Sequence, residues 1–310
     1  MTHMTALRAH RRGGPEVLVV EAAPIPVPAA GEVLVEVHAA AITFDELTWE
    51  ETWTRGGVSR TPVIPSHEIS GVVVETGSST EHFAPGDNVY GLIRFDRDGG
   101  AADYVSVPAQ DLAVKPSGVS HVSAAALPLA GLTAWQALVD HAGVHHGERV
   151  LVTGGAGGVG ALAVQLAAQL GADVTATVRS DAVELVRNLG ARKVIDVRTD
   201  AIDDDQAVYD VVVDTVGGPT LRDSFRVLRG GGRLVTLSAP IPAGEYAFTT
   251  TFFVVTPDRD QLTKLAALVD RGQLHVKIAA TFPLAKGREA FESGQRPGRR
   301  PGKTVIVVRG

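Results

Sequence analysis

The run Val150-Leu151-Val152-Thr153 leads into Gly154-Gly155-Ala156-Gly157-Gly158-Val159-Gly160, a short apolar strand entering a glycine turn and then a helix. Gly155, Gly157 and Gly160 fit G-x-G-x-x-G. The first is expected to permit the tight turn, the second to let backbone approach a phosphate, and the third to let the helix pack on the strand. A dinucleotide pyrophosphate would then lie against the backbone of Gly155, Ala156, Gly157, Gly158, Val159 and Gly160, at the positive end of the helix. About twenty residues after the turn, a reader of a ribose 2′-hydroxyl carries Asp or Glu. Here Arg179 and Ser180 stand instead. Donors at that place suit a 2′-phosphate and a carboxylate would repel it, so the pattern predicts NADPH over NADH. The alternative for Arg179 is a solvated loop charge.

These residues need particular elements to hold them. Val159, Leu162, Ala163, Leu166, Ala167 and Leu170 repeat at helical spacing, with Gly171 as a C-terminal cap. Before about residue 120, turn signals alternate with short β-type runs at 32–38, 71–75, 88–92 and 103–107. Val33, Val35 and Val37 alternate as in a strand buried mainly on one face. From 120 to 255 helical stretches (123–141, 159–170, 181–189, 220–228) alternate with apolar strands (150–153, 174–178, 193–196, 211–214, 233–237), the pattern of a doubly wound parallel sheet. A helix at 260–271 precedes strand-like runs at 276–280 and 304–308, which echo the opening segment. The expected fold class is α/β, with a β-rich domain from 1–119 and 272–310 and a cofactor domain inserted as 120–271.

Composition narrows the function. A formal charge of -6 over 310 residues argues against a nucleic-acid or anionic-membrane surface. The absence of cysteine excludes disulfides, thiolate nucleophiles and cysteine-bearing metal sites. Residues 1–16 are mixed and basic, unlike a signal peptide, and no apolar run nears the ~18 residues of a membrane span. A soluble cytoplasmic protein acting on a small molecule, with no nucleic-acid or membrane partner, is the expectation. The basic stretch 295–303 reads as a solvated turn or a contact to cofactor phosphate.

Seven strings in order carry a resemblance along nearly the whole chain: Gly13-Gly14-Pro15-Glu16-Val17-Leu18; Pro65-Ser66-His67-Glu68-Ile69-Ser70-Gly71-Val72-Val73; Pro85-Gly86-Asp87-Asn88-Val89-Tyr90-Gly91; Ala126-Leu127-Pro128-Leu129-Ala130-Gly131-Leu132-Thr133-Ala134; the glycine turn; Val213-Asp214-Thr215-Val216-Gly217-Gly218; and Gly302-Lys303-Thr304-Val305. The chain resembles the medium-chain dehydrogenase/reductase superfamily, and within it the zinc-independent quinone oxidoreductase-like NADPH reductases. The resemblance implies a GroES-like β-rich catalytic domain, an inserted Rossmann domain, an active site in the cleft between them, and a homodimer. Zinc alcohol dehydrogenases share that scaffold. Their three catalytic ligand positions hold Thr43, His67 and Leu129 here, and a hydroxyl and a leucine cannot replace anionic or soft ligands, so no metal is expected. His67 is left as a hydrogen-bonded structural histidine or a proton donor and substrate contact.

Without a Lewis acid, conjugated acceptors are the easier substrates, because the charge that follows hydride addition spreads to an oxygen that hydrogen-bond donors can stabilise. The resemblance places Thr133 by the nicotinamide; its alternative is a helix residue bonding its own backbone. Thr43 stands where many quinone reductases carry an asparagine, either as an oxyanion donor or as a strand-end threonine without function. Asp45 and Glu46, one of which takes the place of the family's local aspartate, read as solvated or capping carboxylates, with an acid catalyst as the alternative. Trp49 and Trp53, four apart, would share one helical face and line a substrate pocket or pack under a flap. Phe252 and Phe253 lie where the family's backbone passes the nicotinamide, or in a core strand. Arg198 is a substitute for the family's phosphate-pocket tyrosine, and Asp214 reads as a backbone cap, with an acid/base role as the alternative. The expected reaction is NADPH-dependent hydride transfer to a quinone or α,β-unsaturated carbonyl without zinc, water supplying the proton. The alternatives are an enoyl-thioester reductase of lipid or polyketide metabolism and a non-catalytic NADPH-binding redox sensor.

Overall fold

Val33, Val35 and Val37 lie on a long strand, Glu32–Ile42, and in the computed structural model all three are buried against Ile69, Val73, Val89, Val105 and Val107. The structure describes residues 2–179, 182–202, 207–241, 244–296, 298 and 300–309. Glu32–Ile42 is central in a sheet of order Ile278–Pro283, Lys303–Val307, Glu32–Ile42, Glu68–Thr76, Asn88–Leu92, Leu112–Val114, with Tyr104–Pro108 also paired to it. The first two strands are parallel and the other pairs antiparallel. Register brings chemistry to one end of this sheet: Thr304 stands opposite Ile42 and Glu68 opposite Ala41. Thr43, Glu68 and Lys303 therefore sit at neighbouring strand ends.

The second sheet is wholly parallel, in the order Lys193–Asp196, Asp173–Val178, Arg149–Val152, Tyr209–Asp214, Leu228–Thr236, Thr249–Phe252. Every residue of Tyr209–Asp214 is buried, as a central parallel strand covered on both faces requires. The glycine-turn helix runs Gly158–Gln169. The sixth strand entered the expectations only as the core-strand alternative for Phe252 and Phe253, because its Thr-rich run shows no apolar pattern.

The chain forms two compact units, Met1–Leu129 with Thr256–Gly310, and Ala130–Val255. These bounds differ from the expected breaks at 119/120 and 271/272. Helix His121–Ala125 packs on Glu32–Ile42 and Glu68–Thr76. Helix Arg259–Asp270 belongs to the first unit too: Arg259 donates to the carbonyls of Leu112 and Ala109, Tyr90 donates its hydroxyl to the Leu262 carbonyl, and Asp270 accepts from the Gly118 N–H. The single helix expected at 123–141 is also corrected. Pro128, lacking an N–H, starts a new helix, Pro128–Trp135, and Gln136–His141 continues as a π-helical segment. Among the described residues no helix is long and apolar enough to cross a membrane.

Candidate active site

In the second unit, the chain runs outward from Arg149–Val152 through two strands and then returns to Tyr209–Asp214 on the other side. Ligand crevices open at the carboxyl ends of such a strand pair. Thr153 and Asp214 lock those ends together. Thr153 Oγ1 donates to Asp214 Oδ1 (2.7 Å) and accepts from the Thr215 N–H (3.0 Å), while Thr215 Oγ1 donates to the Thr153 carbonyl (2.7 Å). Asp214 Oδ2 accepts from the Gly217 N–H (2.9 Å), Thr236 Oγ1 and Ser238 Oγ. A buried carboxylate satisfied by these donors shapes the turns, which is the capping role expected of Asp214. Thr153, Thr236 and Ser238 carried no sequence signal beyond that of ordinary strand and turn residues.

The glycines divide their work differently from expectation. The left-handed turn is made at Gly154 (φ +68°), not at Gly155. Gly155 instead makes room for the neighbouring strand, since a Cβ there would come 2.8 Å from the Ala176 Cβ. On Gly160 a Cβ would lie 2.2 Å from the Gly154 carbonyl oxygen, so the helix can seat on the turn only with glycine there. Gly157 caps the helix without a side chain, and Gly158, Val159 and Gly160 form its first turn. The N–H groups of that turn have no partner within the helix, which leaves them for an anion. Ala156 completes the turn.

Arg179 follows Val178, the last residue of the second strand, and is exposed. No carboxylate among the described residues pairs with it; Ser180 lies outside them. Arg198 grips Asp196 (Nη2 to Oδ2 2.5 Å), and these hydrogen bonds hold the Asp196 carboxyl below its ordinary range. Phe253, just past the sixth strand, is half-buried and packs on the His141 ring at 4.2 Å between centroids, so it is neither core nor bare surface. Thr133 is buried within Pro128–Trp135.

In the first unit a polar cluster is buried at the strand ends. Lys303 Nζ pairs with Glu68 Oε1 and donates to Thr43 Oγ1 (3.5 Å), and Glu68 Oε2 accepts the Leu129 N–H (3.0 Å). Glu46, expected to be solvated, is 1 % exposed, and its Oε1 accepts the Ser66 N–H (3.2 Å). Burial pushes the Glu46 carboxyl up to about 8, against the Ser66 N–H and Lys303 charge that favour its ionised form. His67 is 2 % exposed, with neither ring nitrogen hydrogen-bonded. Burial first, and then the Arg60 charge, push it down to about 3; the Arg94 backbone opposes this without reaching hydrogen-bond geometry. It is therefore neutral throughout the physiological range, which corrects its reading as a hydrogen-bonded histidine and removes the charged form that a proton donor would use.

The tryptophans part company. Trp49 has extended backbone ahead of the short helix Glu50–Trp53, so the two do not share a helical face. Trp53 is buried with Leu47, Val63 and Phe291 and donates its indole N–H to the Leu47 carbonyl (2.9 Å). Trp49 is half-buried and packs edge-on against Phe95 (4.9 Å), which in turn meets His67 edge-on (5.3 Å).

Two family models match, the alcohol dehydrogenase GroES-like domain over residues 29–117 and zinc-binding dehydrogenase over 189–306. The chain is 32% identical to the "Probable zinc-binding oxidoreductase, mitochondrial" of Arthroderma benhamiae over 94% of its length and 93% of the relative's. The chain belongs to the medium-chain dehydrogenase/reductase superfamily, in its quinone oxidoreductase-like group. The solved quinone oxidoreductase of Coxiella burnetii covers 99% of this dehydrogenase/reductase with all of its own chain, at TM-score 0.89 and 30% identity. An Arabidopsis thaliana relative named "NADPH-dependent alkenal/one oxidoreductase, chloroplastic" is 32% identical over 95% of this chain and 77% of its own. This family member is an oxidoreductase of the nicotinamide-dependent kind, with the GroES-like and Rossmann units of its superfamily.

Zinc, named in one family model, does not fit the residues that this dehydrogenase/reductase places at the ligand positions. Leu129 has no donor side chain, Thr43 is held by a cationic ammonium, and among the described residues no group of three or more His, Asp or Glu could hold a metal. The expected cytoplasmic location is overturned: the Arthroderma relative is named mitochondrial, as are mammalian NAD(P)H oxidoreductases of the same family. Net charge and the lack of a membrane span are shared by soluble proteins of every compartment, so they could not decide it.

Proposed function

We propose that this chain is an NADPH-dependent reductase of quinones or α,β-unsaturated carbonyls that works without zinc. The observation that carries this reading is the donor set Thr43, His67 and Leu129, which offers a carbonyl oxygen a hydroxyl hydrogen bond and no metal. Reduction of an isolated ketone then lacks its Lewis acid, whereas a conjugated acceptor needs only donors at its oxygen. When bound, the reduced nicotinamide supplies hydride. The turn 155–160 holds the pyrophosphate, Arg179 the 2′-phosphate, and Thr133 and Phe253 flank the nicotinamide. Thr43 Oγ1, itself hydrogen-bonded by Lys303, donates to the developing oxyanion. Trp49 packs beside the acceptor while Trp53 supports it from the core. The names of the Coxiella neighbour and the Arabidopsis relative support the acceptor classes.

The test is NADPH oxidation measured with a quinone, an enone, an enoyl thioester and a simple ketone. Turnover with the first two and little with the ketone is expected. Preference for the ketone would refute the acceptor assignment, preference for the thioester would move the chain to enoyl reduction, and cofactor binding without any turnover would make it a sensor.

A further inference from the structure

Lys303 and Thr43 are cross-strand neighbours. Strand Lys303–Val307 runs antiparallel to Glu32–Ile42 with Thr304 opposite Ile42, so the next step of that register sets Lys303 opposite Thr43. Side chains of such a pair share a face of the sheet. On its other side the Lys303 N–H donates to the Lys277 carbonyl (2.8 Å), which fixes the backbone there. The largely buried Lys303 ammonium meets two oxygens: it pairs with Glu68 Oε1 and stands 3.5 Å from Thr43 Oγ1. Glu68 is buried, and its second oxygen accepts the Leu129 N–H (3.0 Å), so both ends of its carboxylate are anchored. Thr43 is half-buried, and among the described residues its Oγ1 is hydrogen-bonded to Lys303 Nζ alone. A threonine hydroxyl carries one hydrogen and two lone pairs, whereas an ammonium only donates. The contact therefore engages a lone pair of Thr43 and turns its O–H bond away from Lys303, with the hydrogen left for another acceptor. A separation of 3.5 Å is long for a hydrogen bond, but contacts of this kind tighten when charge develops on a bound substrate. The field of a largely buried cation acts at that distance in either case.

We propose that Lys303, anchored by Glu68, is a positioning residue for Thr43: it aims the hydroxyl hydrogen at the acceptor oxygen and strengthens that hydrogen bond as negative charge develops there. The inference rests on the reductase reading above and adds to it a residue from the far end of the chain. A cation on the lone pair polarises the O–H bond and makes it a better donor. A neutral carbonyl gains little from this and an enolate or hydroquinone anion gains more, so the effect falls on kcat rather than on the acceptor KM. No bond to hydrogen breaks at Lys303 or Thr43; the proton of the product comes from water. Lys303 thus departs from the solvated turn and the cofactor-phosphate contact expected of the stretch 295–303, because its ammonium is turned to the sheet end and paired with Glu68.

The test is a mutant cycle read in kcat and KM for an enone at saturating NADPH. Replacing Lys303 alone would leave Glu68 buried and unpaired, so the charges are removed together as Glu68→Gln with Lys303→Met. That pair nearly conserves volume and keeps an acceptor for the Leu129 N–H. In the otherwise wild-type protein it should lower kcat by about 10-fold with the acceptor KM within about 2-fold of wild type. In a Thr43→Val background the same pair should lower kcat by less than about 2-fold, because the hydroxyl through which Lys303 acts is gone. Lys303→Arg, with Glu68 intact, keeps a cation and its donors at that place and should stay within about 3-fold of wild type; it reads the inference independently of whether the neutral pair folds. An equal loss in both backgrounds, a loss confined to KM, no loss at all from the neutral pair, or a loss of about 10-fold or more in Lys303→Arg would overturn the positioning role while leaving the reductase intact. A wild type that binds NADPH but reduces no acceptor would overturn both.

Discussion

Arg179 is the residue on which the proposed NADPH preference rests, because it stands exposed at the end of the second strand where a ribose-reading enzyme carries an acid. Arg179→Ala should weaken NADPH binding by ~1.5–3 kcal/mol and leave NADH nearly unchanged, measured as Kd for each; equal losses would show that the side chain does not read the phosphate. His67 and Glu46 give opposite signatures in stability. His67 falls from 6.5 to about 3 on folding, so its contribution is intact above pH 6.5 and is lost as pH drops toward 3, costing about 2 kcal/mol at pH 5. Glu46 rises from 4.5 to about 8, so its contribution is intact below pH 4.5 and is lost as pH climbs toward 8. Urea midpoints at pH 5 and 7.5 should show His67→Phe losing less on acidification than wild type, and Glu46→Gln gaining relative to wild type at the higher pH. Profiles parallel to wild type would contradict both shifts. Burial is what the sequence hid here: the polar neighbours of Glu46, Asp45 among them, marked a solvated turn, yet its carboxyl points into the sheet end.

At the scale of elements, the glycine turn depends on close approach more than on glycine's flexibility. Gly160→Ala places a methyl 2.2 Å from the Gly154 carbonyl oxygen, which forces the helix off the turn. A loss of ~1–3 kcal/mol in stability and a weaker affinity for both NADPH and NADH are expected. Calorimetric binding of either cofactor at wild-type affinity would show that the helix start plays no part. The turn was legible because its spacing is set by a steric requirement that few other folds impose. Most strands and helices were legible for a similar reason, since periods of 2 and 3.6 survive in apolar residues such as Val33, Val35 and Val37 or Leu162 and Leu166. The tryptophan pair was not, because a separation of four implies one face only if both residues are helical, and Trp49 is extended. Nor was the π-helical segment after Trp135, whose His141 packs on Phe253 by a tertiary contact that no local pattern announces.

Over the whole molecule, the ordered motifs identified the superfamily and its two-unit plan, while the unit boundaries moved because helices at 121–125 and 259–270 are held by contacts far away in the chain. Cellular location lay outside what composition can report. The central claim is reduction of a conjugated acceptor by NADPH without a metal, and it is most directly tested by the rate of enone-dependent NADPH oxidation in protein stripped with a chelator, with zinc content measured in the same sample. Unchanged turnover at far less than one zinc per chain is the predicted result. Loss of activity on stripping, restored by one equivalent of zinc, would contradict it.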